Sequence, residues 1–489
     1  MIHSASHVAP ESLPEDAEPR ALDGRDPFKT QYAVCRLSSH NLSSILILIL
    51  TLILILILIL ILILILILIL ILILSYPHLP PQQHIMIELK RASLALLAAA
   101  AVPATATNLP AGVIAVPLTR SVAQDAYYAE FHVGTPPQKE LLKIDTGSPR
   151  YSFLNPRNPV CTEDAKRCQA FGTFDNTTSS TCRYAGLGFA DDLGPVGNGD
   201  YLRDTLVVGG VTLKDMYFGY TSAYSFYNHV IGDVRTILGL SLECGIGSTT
   251  CLNPKEAYFL PQLKKASVIN RMASSFYFGQ NDAVVPNARM ILGGAYDKAK
   301  VDGELFTVGM VDPHSVALTG GQTNNVNVTA MEVVVDGNRT TGTYGDKGVG
   351  VPVLLDSGVS RWYLPQPIFD VVFKALGGVE LAPQSSDHYV VDCKYRDASH
   401  AQGHVAVTFG AAGTIKVPLN TLVSKFADGT CGSFIAPLGN TVKTFGDPFL
   451  RGTYIIFDQE NWTVSMGQVK HTDEQNIVPF PEGGFKARS

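Results

Sequence analysis

The sequence predicts a mainly-β protein made of two similar halves, each supplying one carboxylate to a shared site. Three observations carry this reading. First, from about residue 121 the chain is a series of short apolar or alternating runs separated by Gly, Asn, Asp and Pro. Examples are AYYAEFHV (126–133), LLKI (141–144), DTLVVGGVTL (204–213), VPVLL (351–355) and TYIIFD (453–458). Runs of this kind between turn residues are strand signals. Segments with helical period are few, the best running from about Ile368 to Leu376 after a Pro-rich turn. Second, one layout occurs twice. LLKI runs into Asp145-Thr146-Gly147-Ser148, and VPVLL runs into Asp356-Ser357-Gly358-Val359-Ser360. Third, an apolar-Gly follows each at nearly equal spacing. Ile237-Leu238-Gly239 ends 94 residues beyond Asp145, and Thr444-Phe445-Gly446 ends 90 beyond Asp356.

The segments before this body bear on compartment. Residues 45–74 are Ile-Leu repeats broken only by Thr51. As a helix they would span ~45 Å, more than the ~30 Å hydrocarbon core of a bilayer. Strict two-residue alternation is what a translated simple DNA repeat produces, so residues 1–85 read as a low-complexity leader from an over-extended gene model. A membrane anchor is expected only if 45–74 is genuine. From Met86 the chain reads MIELKRASLALLAAAAVPATA. A basic start (Lys90, Arg91), an apolar run from Ala92 to Val102 and small residues at Ala104 and Ala106 have the grammar of a secretory signal peptide over 86–106. A short pro-segment (107–124) follows, then two lobes over 121–300 and 301–489, hinged near 292–304.

Secretion makes the eight cysteines interpretable. Cys35 lies in the leader. Short loops suggest Cys161–Cys168 and Cys244–Cys251, and Cys393–Cys431 would close a longer one. Cys182 is then the odd thiol, with Cys161–Cys182 left open as an alternative. Asn176, Asn327, Asn338 and Asn461 each begin an N-x-[ST] triplet and are glycosylation candidates. Charged residues make up 16% of the chain and the net charge is -6. No basic footprint exists, which argues against a nucleic-acid partner. No metal or other cofactor is called for. His400 and His404 have the i, i+4 spacing of helical zinc ligands, but they sit in a turn-then-strand sequence with no carboxylate to complete a site.

The doubled Asp carries the chemistry. Each Asp ends a buried strand and enters a tight loop, where Gly lets another backbone approach closely. Two such loops face to face bring two carboxylates within hydrogen-bonding distance. Like charges that close do not both ionise easily, so the pair holds one proton over a wide acidic range. The charged partner can take a proton from water while the protonated one donates to a carbonyl oxygen. That pair hydrolyses a peptide bond without a covalent intermediate.

The stretches YYAEFHVGTPPQKELLKIDTGS, ILGL (237–240), VLLDSG (353–358) and FGDPFLRGTYIIFDQENWTVSMGQ (445–468) resemble the pepsin-like aspartic proteases, especially the secreted fungal type. The resemblance covers about residues 121–470. It implies a bilobal fold with a central cleft, activity on peptide or protein substrates at acidic pH, and a monomer. Asp145 and Asp356 would be the catalytic dyad. Thr146 and Ser357 would cross-link the two loops through their hydroxyls, Gly147 and Gly358 would lie beside the substrate, and Ser148 would support Asp145. Cys161–Cys168 and Cys393–Cys431 match the family's usual disulfides. Three departures stand out. The family's flap Tyr falls near Asp191 or Asp192. The Trp expected seven residues after the first Asp is Ser152, between Tyr151 and Phe153. The hydroxyl expected three residues after the second Asp is Val359. These changes make a catalytically weakened homologue that binds peptides or inhibitors the alternative to an active endopeptidase. A membrane-anchored processing protease is the further alternative if 45–74 spans a membrane.

Overall fold

The computed structural model describes residues 109–487, apart from 122–125, 164, 191–196, 224–235, 247–256, 281–287, 316–322, 343–349, 379–387 and 440–442. The leader, the expected signal peptide and the flap residues Asp191 and Asp192 lie outside the described residues. Among the described residues, no helix is long and apolar enough to cross a membrane.

Strands dominate, as expected, and are arranged in several sheets. The run TYIIFD is a strand, Thr453–Asp458, buried at every position. This is why it reads as continuous rather than alternating. The expected helix spans Gln366–Ala375 and starts after Pro365. It buries Ile368, Phe369 and Val372, the stripe its spacing provides.

One antiparallel sheet joins the two halves. Its order is Val301–Gly309, Thr463–Val469, Thr453–Asp458, Ala273–Tyr277, Arg289–Leu292, Ile114–Ser121. Three strands come from each half, and the halves meet where Ile455 pairs with Phe276. Phe276 and Phe457 pack edge to face across that seam, with ring centroids 6.0 Å apart. The segment expected as a pro-segment, 107–124, contains one of these strands. Ile114, Val116 and Leu118 are buried. Ile114–Ser121 pairs with Arg289–Leu292 along one part and with Ala126–Val133 along the next. A lobe boundary at 121 therefore cuts the end of a sheet strand, because alternate apolar residues across VIAVPL make this stretch part of the core.

Inside each half the same unit recurs. Gln138–Asp145 runs parallel to Ile237–Gly239, with Asp145 beside Gly239. Val351–Leu355 runs parallel to Thr444–Phe445, with Leu355 beside Phe445. Gly239 N–H donates to Arg150 O (2.9 Å), and Gly446 N–H donates to Arg361 O (3.1 Å). Each acceptor lies five residues beyond its Asp. Six residues beyond, Tyr151 and Trp362 are both fully buried and anchor the aromatic interior of their own half.

Candidate active site

Both Asp residues sit where a strand ends at the interface of the halves. Asp145 closes the strand Gln138–Asp145, and Asp356 follows Val351–Leu355. Each is buried, at 5% and 8% exposure. Gly147 N–H donates to Asp145 Oδ1 (2.8 Å), and Gly358 N–H donates to Asp356 Oδ1 (2.7 Å). A Cβ on Gly147 would fall within 3.0 Å of the Asp356 carboxylate, and one on Gly358 within 3.0 Å of the Asp145 carboxylate. Each glycine thus lies against the opposite acid, and only a residue without a side chain fits there. Asp145 and Asp356 are hydrogen-bonded to each other.

The loops are held face to face by their hydroxyl residues. Thr146 Oγ1 donates to Leu355 O (2.8 Å) and accepts from Ser357 N–H (2.9 Å). Ser357 Oγ donates to Ile144 O (2.9 Å) and accepts from Thr146 N–H (3.2 Å). All four bonds are buried and cross between the halves. Asn324 adds a fifth tie by donating to Thr146 O (2.7 Å).

Burial, the neighbouring Asp145 charge and the hydrogen bond that the protonated Asp356 donates to that group push the Asp356 carboxyl well above the usual carboxylate range. The Gly358 N–H and the Lys143 ammonium act in the opposite sense. Two close carboxyls of this kind titrate as a unit and share a proton.

Two expected supports are built differently. Ser148 is buried, but its hydroxyl makes no hydrogen bond among the described residues, so Asp145 is held by the Gly147 N–H rather than by Ser148. Val359 serves through its backbone, donating to Asp356 O (3.3 Å) and accepting from Asp447 N–H (3.1 Å). Ser152, at the expected Trp position, is buried and opens a short strand beside Gly219. Asp191 and Asp192 belong to the segment outside the described residues.

Lys143 was not among the expected site residues. Its ammonium donates to Gly358 O (2.5 Å), reaching from the first half to the second loop. The available signal was one charged residue in the apolar run LLKI, two positions before Asp145.

Cys161 is disulfide-bonded to Cys168, and Cys393 to Cys431. Cys182 is a buried thiol, so the Cys161–Cys182 alternative is not realised. Cys244 is disulfide-bonded, while Cys251 lies outside the described residues. Asn327 and Asn338 are exposed. Asn461 instead donates its side-chain N–H groups to Gly483 O and Phe485 O, and Asn176 Oδ1 accepts from Tyr220.

Residues 126–469 match the family model for eukaryotic aspartyl proteases. Among curated proteins, the probable aspartic-type endopeptidase opsB of Aspergillus fumigatus is 29% identical over 389 residues, covering 74% of this chain and 72% of that one. Aspartic proteinase yapsin-3 of Saccharomyces cerevisiae is 28% identical over 375 residues, 72% of this chain and 68% of its own. Secreted aspartic protease 9 of Candida albicans is 30% identical over 327 residues, 65% of this chain and 56% of its own.

Proposed function

The chain belongs to the eukaryotic aspartyl protease family, and from that premise we propose that it is a secreted endopeptidase whose catalytic dyad is Asp145 and Asp356. The observation that carries this is the reciprocal placement of the two loops, each glycine against the opposite carboxylate. Thr146, Gly147, Ser357 and Gly358 form the frame that keeps the acids in contact. Ser148 is part of the first loop without bonding its carboxylate. The lobes run from about the strand Ile114–Ser121 to 300 and over 301–489, with that strand retained in the mature protein.

Asp356 holds the shared proton, in keeping with its raised titration. Asp145 takes a proton from a water between the acids as that water's oxygen bonds to the scissile carbonyl carbon. Asp356 gives its proton to the carbonyl oxygen. The tetrahedral intermediate then collapses: the C–N bond breaks, the amine leaves with the proton from Asp145, and Asp356 recovers one from a hydroxyl of the intermediate. The products are a carboxylic acid and an amine, with no covalent enzyme species.

Secretion rests on the signal-peptide grammar of 86–106 and on the disulfides, which persist in oxidising compartments. The relative named as a secreted aspartic protease supports it. N-linked sugars are proposed at Asn327 and Asn338, whose exposure favours them over Asn176 and Asn461 with their engaged side chains.

The test is pepstatin-sensitive hydrolysis of a denatured protein at roughly pH 3–5, with D145N and D356N each losing about a thousandfold or more in kcat/KM. N-terminal sequencing of extracellular material should give a start between Ala106 and Ile114. A folded native chain with no turnover anywhere from about pH 2 to 7 would count against the enzyme reading and for a peptide-binding homologue.

A further inference from the structure

We propose that Lys143 is a positioning residue for the reaction: its ammonium ties the second catalytic loop to the first lobe and supplies a positive charge against which the dyad ionises. This rests on the dyad reading above.

The duplication shows what the fold requires at this position. Lys143 and Leu354 each stand two residues before an Asp. Lys143 N–H donates to Thr236 O (2.9 Å), and Leu354 N–H donates to Lys443 O (2.9 Å). Their parallel neighbours are Ile237 and Thr444. The backbone frame is thus the same, and in the second lobe a buried Leu fills it. A lysine is not needed to complete the strand. Partly burying an ammonium is unfavourable unless a partner meets it, and here Gly358 O does.

That partner lies between the two acids. Gly358 donates its N–H to Asp356 Oδ1, accepts the Lys143 ammonium at its carbonyl, and has its Cα against the Asp145 carboxylate. Lys143 and Asp145 are two apart on one strand, so they share a face. Among the described residues, the other titratable or charged groups near the pair are these. Asp356 faces it from the second loop. Tyr128, opposite Lys143 on the strand Ala126–Val133, is buried and uncharged at acidic pH. Asp447 stands behind the second loop, bonded to Val359 O. The neighbouring strand Ile237–Gly239 brings none.

A nearby cation favours the ionised form of a carboxyl, and Lys143 acts on Asp356 in that sense. Removing it should raise both apparent pKa values of the dyad, so that activity falls at the acidic end and persists further toward neutral pH. The experiment compares the native chain, K143L and K143R. Leucine is the residue the equivalent frame already accepts, and arginine keeps the charge. Two readouts are used: kcat/KM against pH on one peptide, and titration of the Asp carboxyl carbons by 13C NMR in the resting protein, which needs no turnover.

The expected result is that K143L moves both limbs, and the NMR titration, up by about one pH unit, and that K143R moves them back toward native. Added salt should shrink the difference, because Lys143 is only half-buried. Superimposable titrations for native and K143L, even with a lowered Tm in K143L, would reduce Lys143 to a structural tie and overturn the proposal. If the native chain shows no turnover, the enzyme reading fails separately, and the NMR titration alone decides on Lys143.

Discussion

The loops at Asp145 and Asp356 have one skeleton and different dressing. Both end a buried strand, both bind their own Oδ1 through the N–H two residues on, and both press a glycine against the other's acid. Around that shared frame the first loop has Lys143 and Ser148, where the second has Leu354 and Val359. The frame sets where two carboxyls meet. In the proposed dyad, the dressing sets how the shared proton is held. A duplicated fold can therefore keep its chemistry while each copy diverges in the residues that adjust it.

The frame can be broken evenly from either side. G147A and G358A each push a methyl into the opposite carboxylate. Both should cost about a hundredfold or more in kcat/KM and ~1–3 kcal/mol of stability, read by kinetics and denaturant melts. A large loss in only one would show that the loops are not equivalent. T146V and S357A come next. Each leaves a buried carbonyl and a buried N–H without the hydroxyl that serves them, so each should destabilise by ~1–3 kcal/mol. The double variant should cost less than the sum, since both act on one junction.

The dressing is tested with smaller effects. V359S offers a hydroxyl near Asp356 that favours its charged form, so the upper limb of the rate profile should move down by roughly half a unit to one unit. Glu140 provides a contrast between the lobes. It is buried, accepts from Leu154 N–H (2.9 Å) and Thr236 Oγ1 (2.8 Å), and burial raises its carboxyl well above 4.5. Its place in the second lobe is taken by Val351. An acid raised by folding contributes stability that is fully present below its ordinary range and is lost as pH rises through the folded value. Melting against pH should therefore show the native chain losing stability above about pH 4.5, with E140Q losing less. Parallel curves for the two would remove Glu140 from the account.

The doubled strand-Asp-x-Gly and its apolar-Gly partner were legible because each lies in a few adjacent residues. In the fold they are parallel neighbours. The bridging sheet was not legible. Its central pairing joins Phe276 to Ile455, and no local pattern marks a partner that far along the chain. Ile114–Ser121 has the alternation of a strand, but its place just after the signal-like segment makes it read as a processed pro-segment. The resemblance implies a supporting Ser148, but its hydroxyl makes no hydrogen bond among the described residues. Lys143 was hidden because a lone charge in an apolar run has meaning only once Gly358 stands beside it.

The most direct test of the central claim, that two like loops make one proton-sharing unit, is a double-mutant cycle on kcat/KM with D145N, D356N and both together. If the acids act as one unit, either single change removes nearly all activity and the double variant is no worse than the singles. Losses that multiply in the double variant, or a single variant that keeps most of the native rate, would contradict it.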